Sequence, residues 1–441
     1  MTRRNNDNIL MLTDSYKITH WTQYPELTEY IYSYLESRGG KFPQTVFFGL
    51  QYFLKEYLSG VVVTEEFIDE AEEICLLHFG ENYFNREGWE YILSEHGGKL
   101  PVSICAVEEG SIHPVLTPLV TIENTDPKVP WLTNYLETLI VEVWYPITVA
   151  TQSYFMKENI LKYLELTGTP EDILFKLHDF GFRGVSSPET ASIGGASHLV
   201  NFRGTDTLAA ITMIRRNYHD PCAGNSIPAT EHSTVTSWGK FNEVKAFKNL
   251  LTKYPRGIIA CVSDSYDIFH ACEELWGEIL HDDIMNRDGT LVIRPDSGDP
   301  VEVILRCLDI LGDKFGYTTN PKGFKVLDSH VRIIQGDGVD DTSIDAILFA
   351  MFVSKWSADN IAFGSGGALL QKLNRDTNSF AFKCSNITIN GDNYPVFKDP
   401  ITAPKKVSKS GKFNLPEVFR NGELLKDFTF DEIRERINND R

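Results

Sequence analysis

The sequence predicts an α/β protein centred on a (β/α) barrel of about seven parallel strands. Three observations lead there. From about Leu174 onward, short apolar runs end in Gly, Asp, Ser or His, and each precedes a stretch of helical character. No hairpin turn separates successive runs, so the strands are expected to be parallel and joined by right-handed crossovers. The 441 residues leave room for such a barrel and an accessory domain.

Residues 1–165 have a mixed texture. Helical patterns run through Gln51–Ser59, Glu65–His78 and Trp131–Trp144, while Pro101–Val107 and Leu116–Asn124 are rich in β-formers. The barrel, expected over 166–375, takes its strands from Leu174–Phe180, Leu199–Phe202, Ile227–His232, Ile258–Ser263, Leu291–Arg294, Val331–Gln335 and Ile361–Phe363. Its helices are expected at Thr234–Leu251, Asp267–Leu280, Pro300–Leu311 and Thr342–Trp356. After Gln371 the chain turns irregular and basic. Residues 372–412 carry Lys372, Arg375, Lys383, Lys398, Lys405, Lys406, Lys409 and Lys412 against only Asp376, Asp392 and Asp399. Such a run is either a solvated loop or a seat for a polyanion.

Composition narrows the functional classes. With 42 Lys+Arg against 61 Asp+Glu, the formal charge is −19, which argues against nucleic acid and anionic membranes as partners. The segment Met1 to Ile9 is polar, so no apolar signal stretch follows Arg3-Arg4. The most apolar long window, Trp131–Ala150, contains Glu137, Glu142 and Pro146 and reads as a buried helix, not a membrane span. Seven scattered cysteines without a C-x-x-C pair suit a reduced cytoplasmic chain. No clustered Cys/His set suggests a structural metal.

In a (β/α) barrel, chemistry sits on the loops after the strands. Here those loops read His178-Asp179-Phe180-Gly181-Phe182-Arg183, Arg203-Gly204-Thr205-Asp206, Glu231-His232-Ser233 and Ser263-Asp264-Ser265. Arg294-Pro295-Asp296-Ser297-Gly298, Gln335-Gly336-Asp337-Gly338 and Gly364-Ser365-Gly366-Gly367 follow. Nearly every end presents a charged or small polar group, as a site for a charged, hydroxyl-rich ligand would require. The last loop joins a strand directly to the helix-like Ala368–Leu373, which suits a phosphate cradle as well as a plain turn. It matches neither G-x-G-x-x-G nor a Walker A loop. Asp296 and Asp337 suit sugar hydroxyls or Mg²⁺, and equally helix N-caps. His232 between Glu231 and Ser233 reads as a structural imidazole, a general base or a phosphoryl acceptor.

Taken together, these loops, with Thr13-Asp14-Ser15-Tyr16-Lys17 and Phe382-Lys383-Cys384-Ser385, resemble the nicotinamide phosphoribosyltransferase family of type II phosphoribosyltransferases. The motifs keep the family's order over nearly the whole chain. The resemblance implies an irregular TIM-like barrel plus an α+β domain built from both ends, 1–165 and 376–441. It implies homodimers with shared active sites and, as reaction, nicotinamide plus 5-phosphoribosyl-1-pyrophosphate giving nicotinamide mononucleotide and pyrophosphate.

Residue by residue, the resemblance implies that Phe180 and the partner subunit's Tyr16 sandwich the pyridine ring, and that Asp206 and Ser226 meet the carboxamide. Arg183 and Arg294 line the ring and diphosphate region. Asp296, Gly336 and Asp337 hold the ribose, and Gly366 and Gly367 the 5′-phosphate. Arg38, Arg375 and Lys383 reach phosphates across the dimer. His232, neighboured by Asp264, takes a phosphoryl group from ATP. Mg²⁺ is expected on the diphosphate, near Asp296 and Asp337, without direct protein ligation.

The sequence departs from the family in short loops after Arg38 and between Lys412 and Phe419, and in Ala368 and Ala381 where glycine and serine are common. Competing readings are a nicotinate or quinolinate phosphoribosyltransferase and a non-catalytic protein on the same barrel. Asp206 speaks against a carboxylate substrate, and the retention of Arg294, Asp296, Asp337 and His232 speaks against loss of catalysis.

Overall fold

The computed structural model describes residues 7–403 and 406–439; Arg3, Arg4 and Lys405 lie outside them. The chain divides into two units, one formed by 1–151, 216–220 and 374–441, the other by 152–215 and 221–373. The first division falls within the helix Trp144–Thr167, whose Pro146 sits in the first turn, where no backbone N–H is missed. Among the described residues no helix is long and apolar enough to cross a membrane.

The first unit holds a seven-stranded sheet in the order Asp392–Pro395, Phe380–Ile389, Thr28–Ser37, Pro118–Asn124, Val102–Ala106, Glu417–Arg420 and Glu423–Leu424. All its pairings are antiparallel. The two ten-residue strands Thr28–Ser37 and Phe380–Ile389 pair from Thr28↔Ile389 to Ser37↔Phe380, so the chain ends interleave in one sheet. The segment expected to be irregular after Gln371 therefore contains a long, largely buried strand. Helix Glu65–Phe79 forms because Thr64 caps the Phe67 N–H, Ile68, Ala71 and Cys75 make one buried stripe, and Gly80 at φ 77° ends it.

The second unit holds the barrel. Six parallel strands run in the order Gly204–Thr205, Leu177–Asp179, Ile361–Ser365, Val331–Gln335, Leu291–Arg294 and Ile259–Val262. The expected run Ile227–His232 forms no regular strand, but its segment spans the two edges: Asn225, just before it, bridges Gly204, and Ala229 within it bridges Ala260, both in parallel sense. The strand Ile259–Val262 is buried throughout, as a strand covered on both faces must be. Ala260, Val292 and Ile334 form a buried cluster against which Phe180, Ile227 and Ala362 pack.

Two expected elements are corrected. Leu199–Phe202 is not a strand: Leu199 closes helix Pro188–Leu199, the buried residues 200–202 form the turn after it with Phe202 stacked on His198 at 5.0 Å, and the strand is the two-residue Gly204–Thr205. A short apolar run buries equally well as a helix end, so periodicity alone cannot separate the two. Thr234–Leu251 is broken at Gly239, φ 82°, into His232–Thr236 and Glu243–Lys253. The other crossover helices keep their expected starts. Pro300–Phe315 is capped by Asp299 with Pro300 in its first turn, and Asp341–Val353 by an Asp340–Ser343 capping box.

In the first unit, Glu109 is fully enclosed, and its Oε1 accepts the Gln51 N–H at 2.6 Å. Burial pushes its carboxyl up to about 7, against the pull of hydrogen bonds from Gln51, Gly49 and Tyr218. Because the folded value lies above the unfolded one, this group's stabilisation is complete below the ordinary carboxyl range and is lost as pH rises through about 7. Glu109→Gln is thus expected to flatten the fall in stability between pH 5 and 8, by roughly 3 kcal/mol at most. Urea unfolding at both pH values measures this; parallel losses in parent and variant would contradict it.

Candidate active site

Parallel pairing brings every strand's C-terminal end to one rim. Ser365 pairs with Asp179, Asp179 with Thr205, and Arg294 with Val262, so the loops beyond them converge. The rim gathers Phe180, Arg183, Asp206, Ser226, His232, Asp264, Arg294, Asp296, Gly336, Asp337, Gly366 and Gly367 in the second unit. Tyr16, Arg38, Arg375 and Lys383 belong to the first.

The most tightly built part centres on Asp264, whose side chain is only 4% exposed. Its Oδ1 lies 3.1 Å from His232 Nε2, and its Oδ2 accepts the Asp296 N–H at 3.0 Å and the Ser297 hydroxyl at 2.5 Å. A carboxylate at Nε2 holds the proton there and leaves the lone pair on Nδ1, which faces Asp296 Oδ2 at 4.0 Å. Asp296 also lies 3.7 Å from Arg294 Nη2. Burial raises the Asp296 carboxyl, Arg294 and His232 oppose, and Asp264 and Asp337 add to the rise. An acid crowded by two others and by one guanidinium favours a cation or a hydroxyl donor as its next neighbour. Arg294 Nε is buried without a partner, a free donor beside these acids. Ser297 had no role in the sequence reading; its position two residues after Arg294's neighbour Pro295, on a polar loop, was the available signal.

A cleft of about 660 Å³ opens beside this centre, lined by Phe180, Phe182, Arg183, residues 185–188, Asp206, Thr207, Glu231 and Arg294. Phe180 is fixed through its N–H to Ser365 O at 2.9 Å. Its ring lies flush against Gly364, where a Cβ would fall 2.0 Å from Cε2. Asp206, also on the lining, accepts the Ser226 hydroxyl at Oδ1 at 2.5 Å, leaving Oδ2 for a ligand. Arg183 is 84% exposed and only loosely paired with Glu231, at 3.9 Å. Glu231 in turn accepts from the Ser233 hydroxyl.

Gly336 sits where a side chain would press on Asp296 Oδ1 at 3.2 Å and Arg294 Cδ at 3.3 Å, so the backbone lies close to both charged groups. Asp337 is exposed, its carbonyl taking the Gln335 amide at 2.7 Å. Gly366 precedes the short helix Gly367–Leu370, with Gly184 against Gly367 Cα. Among the described residues no three His, Cys, Asp or Glu side chains are grouped to hold a metal ion. A metal at Asp296 and Asp337 would need ligand oxygens to complete its shell.

In the first unit, Tyr16 lies on the helical turn Ser15–Thr22 and is 56% exposed. Arg38 Nε pairs with Glu36 Oε1 at 3.2 Å, and Lys409 with Glu36 Oε2 at 3.2 Å. Burial lowers the Lys383 amine; Glu137 opposes this, while Arg38, Lys398 and Arg375 push it lower still. Lys383 thus lies within electrostatic reach of two other expected phosphate ligands, Arg38 and Arg375. Glu36, the buried counter-ion of Arg38 and Lys409, was not singled out from sequence.

Two family profiles match. Residues 175–432 match the nicotinate phosphoribosyltransferase (NAPRTase) family, more than half of the chain. The chain belongs to that family. Residues 8–104 match the nicotinamide phosphoribosyltransferase N-terminal domain, which places it on the nicotinamide side of the family. The nicotinamide phosphoribosyltransferase of Xanthomonas campestris pv. campestris is 48% identical, over 97% of each chain. That of Acinetobacter baylyi is 32% identical, over 98% of this chain and 97% of the relative. In fold, the chain is similar to crystal structures of the Pyrococcus furiosus nicotinate-nucleotide pyrophosphorylase, with TM-score 0.59, 16% identity and coverage of 100% and 97%. The human nicotinic acid phosphoribosyltransferase follows, with TM-score 0.56, 15% identity and coverage of 98% and 93%.

The contact at Gly364 is directly testable. Gly364→Ala must displace the Phe180 ring and is expected to cost about 1–3 kcal/mol, the usual penalty of overpacking. In Gly367→Ala the added methyl meets nothing nearer than Gly184 O at 4.0 Å, so the thermal midpoint should stay close to the parent's. Equal midpoints in the two variants would mean that Phe180 is not held as described.

Proposed function

We propose that the protein transfers the phosphoribosyl group of 5-phosphoribosyl-1-pyrophosphate to nicotinamide, giving nicotinamide mononucleotide and pyrophosphate for NAD salvage. The observation that carries this reading is the Asp206–Ser226 pair on the wall of the cleft that Phe180 floors. A carboxylate with one free oxygen accepts from a carboxamide NH₂ and repels a substrate carboxylate. The named activity of relatives that match the chain end to end supports it.

In this reading Phe180 stacks on the pyridine ring, and the partner subunit's Tyr16 covers its other face. Asp206 orients the carboxamide so that the ring nitrogen faces the sugar carbon. Departure of the diphosphate leaves oxocarbenium character on the ribose, and positioning with electrostatics supplies the catalysis. Arg294 neutralises the leaving diphosphate, Asp296 and Asp337 hold the ribose hydroxyls, and Gly366 and Gly367 receive the 5′-phosphate. Arg38, Arg375 and Lys383 of a second copy contribute to the phosphates, which makes the working unit a homodimer. Mg²⁺, when bound near Asp296 and Asp337 on ligand oxygens, supplies charge neutralisation. A reducing cytoplasmic compartment suits the seven free cysteines.

His232 gives the site a second activity. Its Nδ1 attacks the γ-phosphorus of ATP, the bond to the ADP oxygen breaks, and the phosphoryl group rests on the ring while Asp264 holds the Nε2 proton. His232→Ala is expected to abolish ATP hydrolysis and leave a slow, ATP-independent transfer; full ATPase activity in the purified variant would remove the histidine from the coupling.

Selectivity between bases tests Asp206. The parent is expected to favour nicotinamide over nicotinate by roughly 10³-fold in kcat/KM. Asp206→Asn keeps an acceptor, adds a donor and removes the charge, so it should narrow the ratio from both sides. An unchanged ratio in an active variant would place the selectivity elsewhere.

A further inference from the structure

Asp179 ends the strand Leu177–Asp179, is fully buried, and touches both loops that the functional reading assigns to the base. Its Oδ1 accepts the Gly181 N–H at 2.7 Å, which closes the turn presenting Phe180. Its Oδ2 lies 3.4 Å from the Thr205 hydroxyl on the neighbouring strand. Its own carbonyl accepts the Asp206 N–H at 2.9 Å. The Thr205 hydroxyl also accepts the Thr207 N–H at 3.0 Å, so Asp206 is bracketed by two bonds that lead back to one residue.

A simple turn does not require this. The Gly181 bond alone is an ordinary Asx turn, which an exposed Asn or Ser would make as well. Enclosing an acid costs free energy unless its hydrogen bonds fix something. Burial raises this carboxyl, and donors on both loops oppose the rise. No ligand-facing role is open to a residue without exposed surface, so its influence must pass through its neighbours.

We infer that Asp179 is a positioning residue for base recognition: it locks the ring platform Phe180 and the carboxamide acceptor Asp206 at a fixed separation. The inference rests on the functional reading of those two residues. It predicts a split between substrates, because the side-chain bonds of Asp179 run to Gly181 and Thr205, whereas its tie to the strand that leads into the phosphate loop is the ladder pairing with Ser365, which a side-chain change leaves in place.

The test compares steady-state constants of the full-length parent, Asp179→Ala and Thr205→Val. In both variants KM for nicotinamide is expected to rise about tenfold or more, as for a catalytic group displaced by a fraction of an ångström. The preference for nicotinamide over nicotinate should fall, while KM for 5-phosphoribosyl-1-pyrophosphate stays within about twofold of the parent's. Thr205→Val removes the side-chain tie to the Asp206 loop while keeping the volume of the core, and it decides the matter should Asp179→Ala not fold. An unchanged nicotinamide KM in Thr205→Val, or equal rises in both KM values, would overturn the inference. A parent that does not use nicotinamide at all would instead overturn the functional reading beneath it.

Discussion

Parallel pairing is the constraint on which the rest of the second unit depends. Parallel strands cannot be joined by tight turns, so each must be followed by a crossover, and all their C-terminal ends fall on one side. Strands buried on both faces spend their sequence on apolar residues, as Ile259–Val262 does, and the polar chemistry is displaced to the residue at the end and the loop beyond. Asp179, Arg294, Gln335 and Ser365 are strand-terminal polar residues, and Asp179 and Ser365 are register partners. One or two residues deeper, the barrel is Ala260, Val292 and Ile334. The site is a polar rim set over an apolar floor, with Phe180 at the boundary.

That boundary explains why so few residues suffice. Asp264 serves three loop groups at once: the imidazole of His232, the backbone of Asp296 and the hydroxyl of Ser297. Its near-complete burial keeps those bonds out of competition with water, which strengthens them and makes the loss of any one expensive. Around it the acids outnumber the cations within the second unit, while the cations Arg38, Lys383 and Arg375 cluster in the first.

Much of this was legible in the sequence because the signals were local. Apolar runs ending in Asp, Gly or Arg mark barrel strands, and Asp299-Pro300 and Asp340–Ser343 mark helix starts within four residues. What escaped was non-local or too short. The pairing of Thr28–Ser37 with Phe380–Ile389 joins segments at opposite ends of the chain, and no periodicity announces a partner that distant. The two-residue strand Gly204–Thr205 was missed because the apolar run before it, Leu199–Phe202, is buried as the end of a helix and the turn after it. The placement of Arg216–Asp220 in the first unit, with Tyr218 stacked on Phe48 at 5.1 Å, follows from tertiary packing alone. At the site, sequence motifs named the groups that face a ligand but not Glu36, Ser297 or the role of Asp179. Those residues act by holding others, and only distances reveal that.

The central claim is that this rim joins a carboxamide base to phosphoribose. The measurement that bears on it most directly is product formation by the purified parent with 5-phosphoribosyl-1-pyrophosphate and Mg²⁺, offered nicotinamide or nicotinate, each with and without ATP. Mononucleotide and pyrophosphate are quantified together. The account predicts equal amounts of both from nicotinamide, formed faster with ATP, and little from nicotinate. Nicotinate used as efficiently as nicotinamide, or no mononucleotide from nicotinamide under any of these conditions, would contradict it.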